Sequence, residues 1–101
     1  MSVNAGSDQS ALQDLNDIAE YIAIENVVAA EQLVETVFAK VERLELFPDS
    51  GRIPPELPHL SYREVVVSPC RVFYKQDESQ VFILFVMREE KDFRRFILSK
   101  Q

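Results

Sequence analysis

The sequence has little of several residue types on which protein chemistry often depends. Cysteine and histidine occur once each, as Cys70 and His59, and glycine occurs only twice in 101 residues. A single cysteine excludes an internal disulfide, and one cysteine with one histidine cannot supply the usual zinc ligands. Two glycines are too few for a loop that cradles phosphate groups. We therefore predict neither a metal ion nor an organic cofactor.

Long hydrophobic runs are also missing. No run approaches the roughly 20 apolar residues of a membrane-spanning helix. The polar residues 1–8 lack the cationic and apolar regions of a secretion signal. We predict no membrane partner and a cytoplasmic location. The length fits a single domain over residues 1–101, in which residues 1–8 form either a weak first strand or a disordered segment.

Charge is distributed unevenly along the chain. The net charge is −6, which argues against a nucleic-acid binder because phosphate contacts need lysine and arginine. Residues 1–60 carry three basic and eleven acidic side chains, whereas residues 61–101 carry eight basic and six acidic ones. The first part is therefore strongly acidic and the second mildly basic.

The first half has the period of two amphipathic helices. Apolar residues recur at three- and four-residue spacing from Leu12 to Ile22, which predicts a helix to about Glu25. Asn26 can cap a second helix, which the turn at residues 47–51 ends. Its apolar stripe contains Ala30, Leu33, Val34, Val37, Val41 and Leu44. The short link between the helices predicts an antiparallel helical hairpin.

The second half changes to the pattern of strands. Four of the five prolines lie in residues 48–60, which predicts an extended loop. Residues 62–67, 71–76 and 80–88 then predict an antiparallel meander. The third strand is apolar on both faces, so we expect it to be central and covered on both sides. The predicted fold is α+β, a helical hairpin on a small twisted antiparallel sheet of three to four strands, with a short C-terminal helix from residue 89.

Each of the three strands contains one arginine. Arg63, Arg71 and Arg88 together predict a surface that meets an anion or an acidic partner. The neighbouring Cys70 is predicted to be a small buried hydrophobic residue rather than a nucleophile, because no adjacent sequence would stabilise a thiolate.

Five fragments in this order resemble one protein family. They are ALQDLNDIAEYI at residues 11–22, LFPDSGR at 46–52, YRE at 62–64, CRVFY at 70–74 and VMR at 86–88. Together they resemble the RelE/ParE toxin superfamily of bacterial type II toxin–antitoxin, or plasmid stabilisation, modules, over about residues 9–100. The resemblance implies a growth-arresting toxin that its cognate antitoxin holds inactive in a hetero-oligomer. One departure is that family members usually open with an apolar strand, whereas residues 1–8 are mostly polar.

The resemblance implies two alternative mechanisms. RelE-like members are mRNA endoribonucleases that act on the ribosome, and they need a base, an acid and cations for the phosphorane. For this reading the resemblance implies that Arg71 binds the phosphate, with Arg88, Lys91 and Arg94 as further cations. Tyr62 and Glu64 stand where the best-known RelE toxins have lysines. Glu64 is then either the base or a partner of Arg63 or Arg71 in an ion pair.

ParE-like members instead poison DNA gyrase, a binding function that needs no nucleolytic side chains. The acidic charge and the missing lysines fit this alternative. RNA cleavage remains slightly favoured, with catalytic candidates Glu64, Arg71, Arg88 and Lys91 and target-binding candidates Arg63, Arg94 and Arg95. A degenerate relative that only binds its antitoxin is a third possibility.

The antitoxin is expected to meet the C-terminal segment. Phe93, Phe96 and Ile97 form one stripe, which either packs on the sheet as core or covers a groove that an antitoxin helix occupies. Arg94 and Arg95 either suit an acidic antitoxin segment or simply favour the end of a helix.

Overall fold

A computed structural model describes residues 9–56, 58–59, 61–78 and 80–90. The expectations for residues 1–8, for the C-terminal helix and for its side chains lie outside these residues. Those side chains are Lys91, Phe93, Arg94, Arg95, Phe96 and Ile97. Within the part that is described, no helix is both long enough and apolar enough to cross a membrane.

The predicted helical hairpin is confirmed. Helix α1 spans Gln9–Ala23 and helix α2 spans Val27–Leu46. The side chain of Asn26 accepts a hydrogen bond from the amide of Ala29 at 3.0 Å, so it caps α2 as expected. The helices pack against each other and bury small and branched apolar side chains. These are Ala11, Leu15 and Ala19 of α1 and Ala30, Leu33, Val37, Val41 and Leu44 of α2.

The strands form an antiparallel meander. Strand β1 spans Arg63–Val67, β2 spans Cys70–Asp77 and β3 spans Gln80–Arg88, in the sheet order β1-β2-β3. The expectation that the third strand is central is wrong for this part of the sheet, because β2 lies in the middle and β3 at one end. An apolar strand face shows that something covers it, but it does not show where the strand stands in the sheet.

The two faces of the sheet bury different side chains. The face toward the helices buries Val67, Cys70, Val72, Tyr74, Val81, Ile83 and Val86, which share one core with α1 and α2. The opposite face buries Phe73, Phe85 and Met87, and the rings of Phe73 and Phe85 lie 4.8 Å apart. Successive side chains of a strand point to opposite faces, so β3 contributes to both clusters. The expectation that β3 is covered on both sides is confirmed.

Cys70 is fully buried on the helix side, as predicted. Burial raises the pKa of its thiol from 9.0 to about 11. Because the thiolate is the nucleophile, its fraction at neutral pH falls by about 100-fold, and burial limits access as well. We expect reaction with DTNB at pH 7.5 to be at least about 100-fold slower in the folded protein than in guanidinium chloride. Equal rates would show that Cys70 is accessible and would contradict this prediction.

Candidate functional site

The register of the sheet places Arg71 on a different face from Arg63 and Arg88. Residues that pair directly across two antiparallel strands present their side chains on the same face. Arg88 pairs with Cys70, which packs in the helix-side core, whereas Arg71 pairs with Met87 in the cluster on the other face. Arg71 and Arg88 therefore lie on opposite faces. The expectation of one surface shared by the strand arginines is wrong, because the side chains of Arg71 and Arg88 point to opposite sides of the sheet.

Arg71 is held by a fully buried carboxylate. Its Nε donates to Oε1 of Glu64 at 2.6 Å, and its Nη2 donates to Oε2 at 3.0 Å. Glu64 is 0% exposed and Arg71 is 6% exposed. The guanidinium carbon also lies 5.0 Å from the centroid of the Phe73 ring. Such a two-bond contact with a ring against it fixes the plane of the guanidinium.

A second carboxylate occupies the other side of the same guanidinium. Glu56, from the proline-rich loop, accepts from Nη1 of Arg71 at 2.8 Å and from Nη2 at 3.0 Å. The side chain of Glu56 is 35% exposed, against 7% for that of Arg71. The hydrogen bond from Arg71 holds the pKa of Glu56 below its usual 4.5. The burial of Arg71 works to lower the pKa of the guanidinium, but its hydrogen bonds to the two carboxylates raise it overall.

Arg52 completes a chain of four alternating charges. Its Nε donates to Oε2 of Glu64 at 2.7 Å. The backbones of Arg52 and Glu64 also exchange two hydrogen bonds, of 2.9 and 2.8 Å, which extend the edge of β1 by one bridge. Glu64 therefore accepts from two arginines. Of the two ion-pair partners expected for Glu64, Arg71 is confirmed, whereas Arg63 has a different role.

Arg63 and Tyr74 fix the loop that carries Arg52 and Glu56. The hydroxyl of Tyr74 donates to the carbonyl of Pro48 at 2.6 Å and accepts from the amide of Gly51 at 3.0 Å. Arg63 donates from Nη1 to the carbonyl of Gly51 at 2.9 Å. Burial raises the pKa of Tyr74, which keeps the phenol protonated as a donor. The helix side of the sheet thus positions the loop whose charges meet on the opposite side.

Arg88 is engaged with α1 and the end of β3. Its guanidinium carbon lies 4.8 Å from the centroid of the Tyr21 ring. Its Nε lies 2.8 Å from a carboxylate oxygen of Glu90, in an ion pair in which this Nε makes no hydrogen bond. This places Arg88 in a local contact between the helix and the strand end, away from Arg71.

Sequence reasoning missed Arg52 and Glu56. The pairing of Glu64 with Arg71 could be predicted from the sequence. A hairpin turn at residues 68–69 places these two residues diagonally on one face of the sheet. No comparable signal marks Glu56, because the loop path depends on Tyr74 and Arg63, which are distant in sequence.

Comparison with known protein families identifies a match that covers most of the chain. Residues 8–93 match the family described as the ParE toxin of the type II toxin–antitoxin system parDE. No curated protein matches the sequence. Within the described ranges, no group of three or more histidine, cysteine or acidic side chains could hold a metal ion.

Proposed function

The chain belongs to the ParE toxin family of type II toxin–antitoxin systems, which implies a cognate antitoxin as its partner, and we propose that it arrests growth by binding DNA gyrase without cleaving RNA. The sequence alone slightly favoured ribosome-dependent mRNA cleavage. The geometry around Arg71 supports gyrase binding instead.

The observation that carries the proposal is the position of Arg71 between two carboxylates. A phosphate-binding arginine has to offer its donors to the substrate, and here Glu64 and Glu56 each take two hydrogen bonds from the guanidinium. Both carboxylates would also repel a phosphodiester. Arg88, the next proposed cation, lies on the other face of the sheet. RNA cleavage needs cations that converge on one phosphorane.

Glu64 fits the role of a general base poorly. A base has to reach the ribose 2′-hydroxyl, and Glu64 is fully buried and accepts from Arg52 and Arg71. Gyrase poisoning requires a binding surface and no such group. We retain Arg94 and Arg95 as proposed target contacts and Phe93, Phe96 and Ile97 as proposed antitoxin contacts.

Induced expression without antitoxin tests the proposal. We expect DNA breakage and SOS induction within minutes, while transcripts stay intact. A matched pair of variants sharpens the readout, because Lys91→Gln removes a proposed catalytic cation and Lys75→Gln removes an exposed lysine of β2. Neither change should abolish DNA breakage.

Rapid, translation-dependent cleavage of transcripts with intact DNA would overturn the proposal, most directly if Lys91→Gln stopped it and Lys75→Gln did not. Absence of any growth defect would instead indicate a relative that only binds its antitoxin.

A further inference from the structure

The two helices form a groove between them on the surface of the hairpin, which we call the inter-helix groove. It has a volume of about 540 Å³ and lies between the end of α1 and the first part of α2. Three alanines line it, Ala19, Ala23 and Ala30, together with Val27 and Val34. Because alanine side chains are short, they leave space between the helices that larger apolar side chains from another molecule can fill.

Apolar side chains are exposed to solvent at one end of the inter-helix groove. Val27, the first residue of α2, lines the groove and is 59% exposed. Ile24, in the turn before α2, is 80% exposed, and Val28 is 60% exposed. An apolar groove beside exposed apolar side chains is typical of a surface that binds another protein.

The rim of the inter-helix groove is acidic. Glu20 lies on the α1 side, and Glu31 and Glu35 lie on the α2 side. All three are exposed, and none of them forms an ion pair among the residues that the structure describes. Residues 1–39 contain no lysine, arginine or histidine. The helices therefore present an apolar groove between carboxylates that no nearby cation neutralises.

This charge narrows the class of molecule that can bind in the groove. Nucleic acids and anionic membranes carry charge of the same sign and would be repelled. A second copy that docked through the same surface would place its own carboxylates against these three. A segment with lysine or arginine is attracted instead, and the net charge of −6 for the whole chain acts in the same direction. The apolar lining requires that this segment also carries apolar side chains.

We propose that the inter-helix groove binds an amphipathic helix of a partner protein, one that carries lysine or arginine beside its apolar face. The apolar face lies over the three alanines and against Val27, and the cations lie beside Glu20, Glu31 and Glu35. This is the binding mode in which a helix lays its apolar face into a hydrophobic groove. The groove is separate from the network around Arg71, so the inference does not depend on whether the toxin poisons gyrase.

The experiment measures the binding of two labelled model peptides to the purified full-length protein by fluorescence anisotropy. Both peptides are amphipathic helices of about 14 residues, or about 21 Å, with leucine on the apolar face. One has lysine at the polar positions and the other has glutamate. We expect the lysine peptide to bind at least about tenfold more tightly than the glutamate peptide. Its affinity should fall as the salt concentration rises, because salt screens exposed charges.

Matched variants on α2 locate the contact. Val27→Ser removes an apolar side chain of the groove and should weaken binding of the lysine peptide by about fivefold. Leu46→Ser makes a similar change at the exposed last residue of α2. Glu31→Gln removes one charge from the rim and should weaken binding by about threefold. Glu42→Gln removes one charge from an exposed position further along the helix. Both control variants should bind as the unmodified chain does.

The proposal is overturned if the lysine peptide does not bind or if both peptides bind equally well. Equal losses in the groove variants and in their controls would place the binding elsewhere on the acidic surface. Self-association in sedimentation equilibrium that Val27→Ser abolishes would make a second copy the occupant instead. Growth arrest is not read in any of these measurements, so a failure here is distinguishable from a failure to poison gyrase.

Discussion

Replacing Arg71 with alanine is expected to lower the free energy of unfolding by about 3–5 kcal/mol, because it leaves a buried carboxylate without its main partner. Glu64 is fully buried, and only Arg52, whose side chain is 59% exposed, would remain beside it among the arginines of this network. The change also removes four hydrogen bonds from Arg71 to Glu64 and Glu56. Urea denaturation followed by circular dichroism measures the loss.

The control is a double variant that removes both charges of the buried ion pair. Glu64→Leu with Arg71→Met replaces the ion pair with apolar side chains, and we expect this double variant to be more stable than Arg71→Ala. The result separates an uncompensated charge from lost packing, since both variants lose the arginine. If the free energy of unfolding of Arg71→Ala is within about 1 kcal/mol of that of the unmodified chain, Glu64 does not depend on Arg71 as its main partner.

Loss of growth arrest in Arg71→Ala would not by itself identify a target contact. In a toxin, loss of growth arrest in Arg71→Ala would follow from unfolding as readily as from loss of a target contact. A growth assay of this variant is therefore informative only beside its unfolding curve. Glu56→Gln leaves the contact between Glu64 and Arg71 in place and is the better probe of function at this site.

The regular elements could be predicted because their residues repeat with a period. The apolar spacing from Leu12 to Ile22 and the alternation in residues 80–88 depend on neighbours in sequence, and helices α1 and α2 and strands β1 to β3 form where they were expected. The order of the strands in the sheet was harder to predict from the sequence. Residues 80–88 are apolar on both faces because clusters cover both faces, and this pattern does not distinguish an edge strand from a central one.

The site was less predictable because it depends on contacts between distant residues. The pairing of Glu64 with Arg71 follows from a hairpin register that can be read from the sequence. Glu56 reaches Arg71 only because Tyr74, 23 residues from Gly51, holds the turn before the loop in place. A sequence pattern within the loop carries no information about that contact.

Gly51 leaves no room for an added methyl group in this arrangement. Its φ of −77° and ψ of 163° are open to any residue, so the requirement is for space and not for backbone freedom. A Cβ atom there would meet the hydroxyl of Tyr74 and would lie 2.7 Å from its Cε1 and 2.8 Å from the carbonyl oxygen of Glu64. The carbonyl belongs to β1 and the ring is fully buried, so neither can easily move.

Gly51→Ala is therefore expected to lower the free energy of unfolding by about 1–3 kcal/mol, the usual cost of overpacking a buried site. Movement of the turn would also break the hydrogen bonds of Gly51 to Tyr74 and Arg63. Urea denaturation provides the measurement, and Ser50→Ala, at the exposed preceding position, should have little effect.

Tyr74→Phe tests how much of this loss comes from the hydroxyl of Tyr74. It removes the hydroxyl that the new methyl group meets, but it leaves the ring carbon and the carbonyl of Glu64 in place. The loss in the double variant should therefore be smaller than the sum of the two single losses, because both variants break the same hydrogen bond from Gly51. Strictly additive losses would mean that Gly51 and Tyr74 act independently. In that case, the hydroxyl of Tyr74 would not be what holds the turn before Glu56.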